Sequence, residues 1–484
     1  MNKFLCVVLL ACVFRAQAQS TFTIDDVVQK AQSQSTRYKV AETQRETAYW
    51  DYRYYRTNYN PQVRLTNSGN QLYTNSFSRI QQPDGTIQYL QINQFNPGIN
   101  IGLEQPIQWT NTTISANTGY NYFRDYKDQF HQWNGQVFNL RLSQPVFSFN
   151  KLKWDRLIAP IKYEESKRQY AQDMQQIAHD AVFYFFGVLR AQVDLQISQY
   201  NVANNDTIFK IEQGRYNIGT TSQDKLLQVE LQLLRSRQAV AQARMDLSQN
   251  SLYLRSYMGL KNGEEFQLVL PGNVPAFEVT EDEAFQHAKE TRAEYIAFDR
   301  RRTEADMNVA RTKGNYYNVQ LDGGFGVNNV GATVGDLYKS PARQQYVQLG
   351  FNIPIIDWGR RHALVQSANA SKRLTDYQIE QEQITFEQQV FTQVRQFETL
   401  RLQIEITRKA DEVAFERYNV AQNRYLIGKI DITNLNIALN EKDDAKRGYL
   451  TALQDFWIAY FELRRLTLYD FSERKYLYNP FVKE

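Results

Sequence analysis

The sequence predicts an α+β protein that is internally duplicated and built from long antiparallel helical hairpins together with strand-rich segments. Three observations support this fold class. One sequence pattern occurs twice, two long stretches contain no proline, and the segments before them alternate between apolar and polar residues. With 31 tyrosines and 28 phenylalanines, the chain is also rich in aromatic residues, a composition that suits aromatic-bearing strands joined to long solvated helices.

The duplication is clearest in a short motif. Arg-Tyr-Asn-Ile-Gly at 215–219 recurs 209 positions later as Arg-Tyr-Leu-Ile-Gly at 424–428, and the same offset places Pro145 on Pro354. Nearer the N-terminus the offset is 257, so the first copy contains additional residues before Pro145 (257 − 209 = 48). Two copies are too few for a solenoid. They favour a pseudo-symmetric unit that is closed by self-association.

Residues 1–18 have the pattern of a secretory signal peptide. A positive N-terminal end precedes an apolar run at 4–14 and the sequence Ala-Gln-Ala at 16–18, which is typical of a cleavage site. Cleavage would remove Cys6 and Cys12, the only two cysteines, and leave an exported chain without disulfides. Lipid attachment at Cys12 is the alternative. No later run of about 18 apolar residues predicts a membrane-spanning helix.

Charge and motif content argue against nucleic-acid binding and catalysis. The chain has 56 basic and 52 acidic residues, a net charge of +4, and no basic block of the kind that binds nucleic acid. The glycine-rich segment 323–326 lacks the Lys-Ser/Thr of a phosphate loop and is better explained as a strand facing a crowded lumen. No histidines have zinc-ligand spacing; they lie at His131, His179, His287 and His362. We therefore predict no cofactor, no metal and no enzymatic activity.

Proline placement locates the helices. Residues 161–270 and 355–479 contain no proline, so long helices can run there. Each stretch is interrupted by its Arg-Tyr-x-Ile-Gly motif, whose glycine is expected to end a helix. The predicted arms are 155–217 and 222–260 in the first hairpin, and 361–426 and 431–470 in the second. Arms of this length reach roughly 60 to 90 Å. Their apolar stripes alone indicate an antiparallel coiled coil.

The segments 61–148 and 317–356 alternate like strands. Ile99, Ile101 and Leu103, for example, are separated by polar residues or glycine. An apolar face and a polar face are typical of a half-buried sheet, and equally of a membrane barrel. The first copy has alternating segments near 61–79, 87–105, 112–124 and 135–147, and the second has them near 317–328 and 345–356.

The chain resembles the TolC-like outer-membrane efflux proteins over essentially its whole mature length. The resemblance rests on the duplicated order of helix, strands and helical hairpin, on Pro-Ile-Ile-Asp-Trp-Gly-Arg-Arg at 354–361, and on the two Arg-Tyr-x-x-Gly tips. It implies an α-barrel and a transmembrane β-barrel closed by trimerisation, in the outer membrane of a Gram-negative bacterium with a large periplasmic portion. The implied function is a passive exit duct for tripartite efflux or type I secretion, gated at its periplasmic helix tips.

The same resemblance implies the partners. They are a periplasmic adaptor (membrane fusion) protein, an inner-membrane RND or ABC transporter, outer-membrane lipid and two further copies in a homotrimer. A periplasmic coiled-coil scaffold or adaptor is the first alternative, against which the alternating segments argue. An exported enzyme acting on a polymer is the second, against which the lack of paired catalytic carboxylates argues.

The sequence predicts eight consecutive parts of the chain. The expected parts are a signal peptide (1–18), the first helix of repeat 1 (19–60), its strands with an extra hairpin (61–148), helical hairpin 1 (149–270), a linker and the first helix of repeat 2 (271–316), its strands (317–356), helical hairpin 2 (357–470) and a tail (471–484). Six strands per chain would give a trimeric barrel of 18 strands. The alternative is the family's usual twelve, with the extra strands in a cap or collar outside the membrane.

The candidate functional residues lie at the two hairpin tips. They are Arg215, Tyr216, Gly219, Ser222, Asp224 and Lys225 in the first copy, and Arg424, Tyr425, Gly428, Asp431 and Asn434 in the second. Arg–carboxylate and Tyr contacts between tips would hold a tunnel mouth closed, although such partly exposed pairs are individually weak. The alternative is that Arg and Tyr only cap helix ends. The family pattern has an acid at the sixth position after the glycine. Lys225 and Asn434 occupy that position here, which predicts a mouth less selective for cations.

Overall fold

The computed structural model describes residues 20–67, 72–260, 266–272 and 274–479. The expected signal peptide with Cys12, and the end of the expected tail from 480 onward, lie outside the described residues. None of the described helices has both the length and the apolar character needed to cross a membrane.

The chain divides into two compact units. The first comprises Met1–Arg45, Arg168–Arg292 and Thr385–Glu484, and the second comprises Glu46–Lys167 and Ala293–Ile384. The division falls inside three helices and therefore does not follow the sequence repeat.

The helices confirm the duplication and the two long hairpins. They are α1 (Ile24–Gln34), α2 (Thr36–Thr57), α3 (Lys151–Asn217), α4 (Gln223–Met258), α5 (Glu281–Thr291), α6 (Ala293–Gly314), α7 (Arg360–Leu426) and α8 (Ile432–Thr467). Corresponding helices in the two copies have identical lengths: 11 residues for α1 and α5, 22 for α2 and α6, 67 for α3 and α7, and 36 for α4 and α8. The hairpin arms end within a few residues of their predicted bounds.

The core of the first unit joins all four hairpin arms. Phe185 and Phe186 of α3, Leu254 of α4, Phe397 of α7 and Phe456 of α8 belong to one buried cluster. Each of these side chains is at most 2% exposed. Full burial of a large apolar side chain contributes about 1.5–3 kcal/mol, so this cluster is a principal source of stability in the helical unit.

The second unit contains the main sheet. The strands of the described residues, in both units, are β1 (Ser20–Phe22), β2 (Gln62–Asn67), β3 (Tyr73–Gln81), β4 (Ile87–Phe95), β5 (Gly98–Ile107), β6 (Thr112–Asp125), β7 (Phe130–Val146), β8 (Phe266–Leu268), β9 (Asn318–Gly331), β10 (Ala342–Asn352), β11 (Tyr469–Asp470) and β12 (Lys475–Tyr476). β1 pairs with β8 and β11 with β12 in two small ladders, and the other eight form one sheet.

That sheet is antiparallel and has six strand positions. Along the sheet, β10 pairs with β9, β9 with β7, and β7 with β6. The other side of β6 pairs with both β5 and β4. These two strands pair in turn with β2 and β3, respectively. β4 and β5 follow β6 in one register, since Phe95 lies opposite Arg124 and Gly98 opposite Asn121. They are therefore one strand position, interrupted at Pro97, which has no N–H to donate to a ladder.

This interruption corrects one detail of the sequence prediction. The alternating segments predicted near 61–79 and 87–105 each contain two strands and not one. Proline explains the break between β4 and β5. The break between β2 and β3 falls partly on residues 68–71, which lie outside the described residues.

Candidate functional site

One face of the six-position sheet is mainly apolar, with Gln144, Arg343 and Gln345 among its polar exceptions. Residues directly opposite each other in an antiparallel ladder point to the same face, and the register aligns Val63 with Leu103, and Leu140 with Phe325. The exposed apolar side chains of this face include Val63, Leu65, Ile99, Ile101, Leu103, Phe138, Leu140, Leu142, Leu321, Phe325, Val347, Leu349 and Phe351. Their exposed fractions run from 36% to 82%, far above those of core residues, so this face has the character of a lipid-contacting surface.

The opposite face is polar. It carries residues such as Arg64, Asn100, Asn139 and Gln348, which alternate with the apolar set. An ion pair of 3.0 Å joins Arg141 of β7 to Asp322 of β9 across this face.

The glycine-rich segment 323–326 lies within β9. A Cβ at Gly324 would clash with the ring of Tyr346 on β10, and one at Gly326 would lie 2.9 Å from the carbonyl oxygen of Phe138. Close approach to neighbouring strands therefore accounts for glycine at these two positions.

The two hairpin tips are built by matching turns. α3 ends before Gly219, which has φ +79°, and α7 ends before Gly428, which has φ +76°; glycine adopts such angles without strain. The next helices begin with side-chain caps. The Ser222 hydroxyl accepts from the Lys225 amide at 3.4 Å, and the Asp431 carboxylate accepts from the Asn434 amide at 2.9 Å.

Beneath the turns, the two tips share a small apolar core. Ile208 of α3, Val229 of α4, Tyr418 and Tyr425 of α7 and Leu435 of α8 are buried in one cluster. The tips of both hairpins of one chain are therefore packed together.

A buried carboxylate connects the tips. The Tyr425 hydroxyl donates to Glu212 Oε1 at 2.6 Å, and Arg215 Nη1 donates to the same oxygen at 2.7 Å. Glu212 is only 4% exposed. Arg215 Nη2 also donates to the carbonyl oxygen of Leu426 at 3.0 Å, and its guanidinium lies 5.4 Å from the centroid of the Tyr425 ring. Arg215 thus caps the end of α7 while pairing with a carboxylate of its own helix.

Opposing effects set the ionisation of this cluster. Burial raises the pKa of Glu212, but the hydrogen bonds from Tyr425 and Arg215 outweigh burial and hold the pKa below its usual value. Burial and the nearby Glu212 carboxylate raise the pKa of the Tyr425 hydroxyl above its usual value. At neutral pH, Glu212 is therefore an ionised acceptor and Tyr425 a protonated donor.

Only part of the predicted tip set meets in one place. A cleft of about 390 Å³ is lined by Glu212, Arg215 and Tyr425 together with Lys225, Gly428 and Asp431. Tyr216, Gly219, Ser222, Asp224, Arg424 and Asn434 do not line it. Among the described residues, the exposed Arg424 side chain makes no hydrogen bond or ion pair.

The duplicated motif therefore has two environments. Arg215 and Tyr425 lie inside the cleft, whereas their repeat equivalents Arg424 and Tyr216 are exposed. Glu212 is not among the residues predicted from the sequence. Its signal was a carboxylate three residues before Arg215, a spacing at which helical side chains pair.

Removing the cap of α8 should weaken the second tip. We expect Asp431→Ala to lower stability by about 1 kcal/mol, because the Asn434 amide loses its acceptor, and to speed protease cleavage at the 427–431 turn. Asp431→Asn keeps a capping side chain and is the control. Equal cleavage of the two variants would contradict the capping role.

Residues 27–260 and 286–467 match the sequence profile of the family described as outer membrane efflux protein. No curated protein sequence matches the chain at a significant level.

The fold is similar to that of solved outer-membrane channels. The Campylobacter jejuni CmeC channel gives a TM-score of 0.67 at 14% identity, over 92% of this chain and 85% of that chain. Vibrio cholerae VceC gives 0.66 at 13% identity, over 92% and 95%. The open state of the Neisseria gonorrhoeae MtrE channel gives 0.62 at 14% identity, over 92% and 88%. At these identities the likeness shows a shared fold.

Proposed function

Because the chain belongs to the outer membrane efflux protein family, it is an exit duct of the outer membrane and not an enzyme, and we propose that three copies close it. In this proposal the sheets form one transmembrane β-barrel, and the helical hairpins form a tunnel in the periplasm. The duct is passive and supplies an exit for efflux or type I secretion.

The two-faced sheet is the observation that carries this proposal. Its apolar face suits lipid, and its polar face suits a water-filled lumen. Among the described strands, β10 pairs on one side only, as do β2 and β3 at the opposite edge. An open edge cannot face lipid because its backbone groups would lack partners. With six antiparallel positions the two edge strands run in opposite directions, so neighbouring copies can pair them in an antiparallel ladder.

The sheet supports an 18-stranded barrel over a twelve-stranded barrel with a collar. The extra residues fall between β2, which matches β9 at the offset of 257, and β7, which matches β10 at the offset of 209. The strand positions between them, β4 with β5 and then β6, lie inside the sheet and pair on both sides. Barrel diameter grows roughly in proportion to strand number. The proposed barrel would therefore be about 1.5 times as wide as one of twelve strands.

We further propose that the hairpin tips form a gated periplasmic mouth. Glu212, Arg215 and Tyr425 join the two hairpins within each chain, while the exposed Tyr216 and Arg424 are available to neighbouring copies or to a partner. A periplasmic adaptor protein would bind at the tips and couple the duct to an inner-membrane RND or ABC transporter.

Assembly in the membrane tests the proposal. The protein extracted from an outer-membrane fraction should migrate as a trimer in unheated gels and native mass spectrometry, and electron cryomicroscopy should resolve 18 strands. Bilayers containing it should show single channels. Monomers in detergent would refute the closed barrel, and a chain that stays soluble would favour the periplasmic scaffold. Twelve strands with an outer collar would refute only the wider barrel.

A further inference from the structure

We propose that two exposed apolar stripes, one on α4 and one on α7, pack against each other between neighbouring copies of this chain. Each stripe is thus covered by a second copy of the chain. This inference rests on the proposed closure by three copies, and it assigns the residues and the register of the helical contact.

The α4 stripe is Leu227, Leu231, Leu234, Met245 and Leu252. These side chains are 49% to 57% exposed, although α4 is packed in the first unit on its other side. Together with Gln238, Ala241 and Ser248 they are spaced alternately four and three residues apart. This heptad spacing is typical of a helix that packs along its length against another helix.

The α7 stripe is Leu402, Ile406, Val413, Val420 and Ile427. Its side chains are 53% to 66% exposed, and Ile427 continues the helical hydrogen bonding directly after α7. Lys409, Glu416 and Asn423 complete the same alternation of four and three. Both stripes cover the same number of residues.

Each stripe lies opposite the face that its helix uses within the chain. On α4 the buried residues Val229, Leu233 and Leu254 each follow a stripe residue by two positions, which is about 200° around a helix. On α7 the buried Ile404 and Tyr418 each precede a stripe residue by two positions. The contacts within one chain therefore cannot cover the stripes.

Two sets of contacts relate positions along α4 to positions along α7. Near the tips, Val229 of α4 and Tyr425 of α7 share a buried cluster. Farther along, Asn205 of α3 donates to the Ser236 hydroxyl of α4 at 2.6 Å, and the adjacent Asn204 donates to the Tyr418 hydroxyl of α7.

Between these two levels α4 advances seven residues while α7 recedes seven. Leu254 and Leu400, which have the same numerical relation at the far end, both belong to the main core. The α4 and α7 stripes are therefore antiparallel, and they occupy the same levels.

In a symmetric ring, equal levels within one chain also fix which α4 residue lies opposite which α7 residue of the next copy. A rotation about an axis along the helices does not move a copy along that axis. The same offset then places Leu234 opposite Val420, Leu252 opposite Leu402 and Met245 opposite Lys409 of the next copy. Apolar residues from both stripes meet at the two ends, and one lysine faces a methionine in between.

A cysteine pair tests the contact between the α4 stripe of one copy and the α7 stripe of the next. Cys6 and Cys12 are the only native cysteines and lie in the expected leader. Leu234→Cys combined with Val420→Cys should form disulfides between copies and convert most of the chain to covalent dimers and trimers on non-reducing gels. Leu234→Cys with Val413→Cys is the control. Position 413 lies about 10 Å farther along the helix, beyond disulfide reach of about 7 Å.

A second test changes the charge at position 245 and does not depend on the geometry of a disulfide. M245E places a carboxylate opposite Lys409 of the neighbour, and M245K places a second cation there. We expect the M245K trimer to dissociate at a temperature several degrees below the M245E trimer. An intact trimer with no 234–420 disulfide, or with equal effects of M245E and M245K, would refute the contact between the two stripes. It would not contradict the proposed duct. Absence of any trimer in the wild type would overturn both.

Discussion

Leu140→Lys is expected to lower the stability of the membrane-inserted protein by about 2–4 kcal/mol, the penalty for a lysine on the lipid face near the bilayer midplane. Leu140 lies in the middle of β7 on the apolar face, opposite Phe325 of β9, and is 41% exposed. A lysine at this position would have to leave water for hydrocarbon. The measurement is urea unfolding from lipid vesicles, together with the amount of trimer recovered from outer membranes.

The neighbouring residue provides the matched control. Asn139 precedes Leu140 on the same strand and faces the polar side, so Asn139→Lys should unfold close to the wild type. If both lysines destabilise the protein equally, the assignment of the two faces is wrong. If neither does, this sheet does not contact lipid.

Much of the fold follows from local sequence signals. Proline-free stretches and the two tip glycines set the limits of the long hairpins because proline breaks helices and glycine ends them. Alternation of residues such as Ile99, Ile101 and Leu103 identified strands because side chains of a strand point alternately to its two faces. Neither inference required knowledge of distant contacts.

Features that depend on distant contacts were not predicted. Tyr216 and Tyr425 occupy the same place in the same motif, yet Tyr216 is 41% exposed and Tyr425 is 3% exposed. The difference arises because α3 covers Tyr425 with Glu212, a residue 213 positions away. A local motif cannot reveal which of its two copies will be covered in this way.

Glu212→Ala is expected to open the tips and to raise single-channel conductance several-fold. The change removes the shared acceptor of Tyr425 and Arg215 and leaves a hydroxyl in the tip core without an acceptor. Hydrogen bonds to a charged group contribute about 1.5–3 kcal/mol each, so the joined state of the two tips should lose roughly 3 kcal/mol or more. Tyr425→Phe removes only one donor and should give a smaller increase.

The control is Gln213→Ala, since Gln213 is adjacent on α3 but exposed. It should leave both conductance and tryptic cleavage at Arg215 unchanged, whereas Glu212→Ala should increase both. Unchanged conductance with faster cleavage at Arg215 would mean that the Glu212 contacts stabilise the tips without gating the duct.

Acid should reproduce the Glu212→Ala effect in the wild type. The hydrogen bonds from Tyr425 and Arg215 lower the pKa of Glu212 in the folded tip below its ordinary value of 4.5. A depressed carboxyl pKa adds stability that is fully present above the unfolded pKa and is lost as pH falls through the folded pKa. Wild-type conductance should therefore stay constant from neutral pH down to about 4.5 and rise below it. The Glu212→Ala duct, already open, should lack this step. A step of equal size in both proteins would assign the acid response to another group.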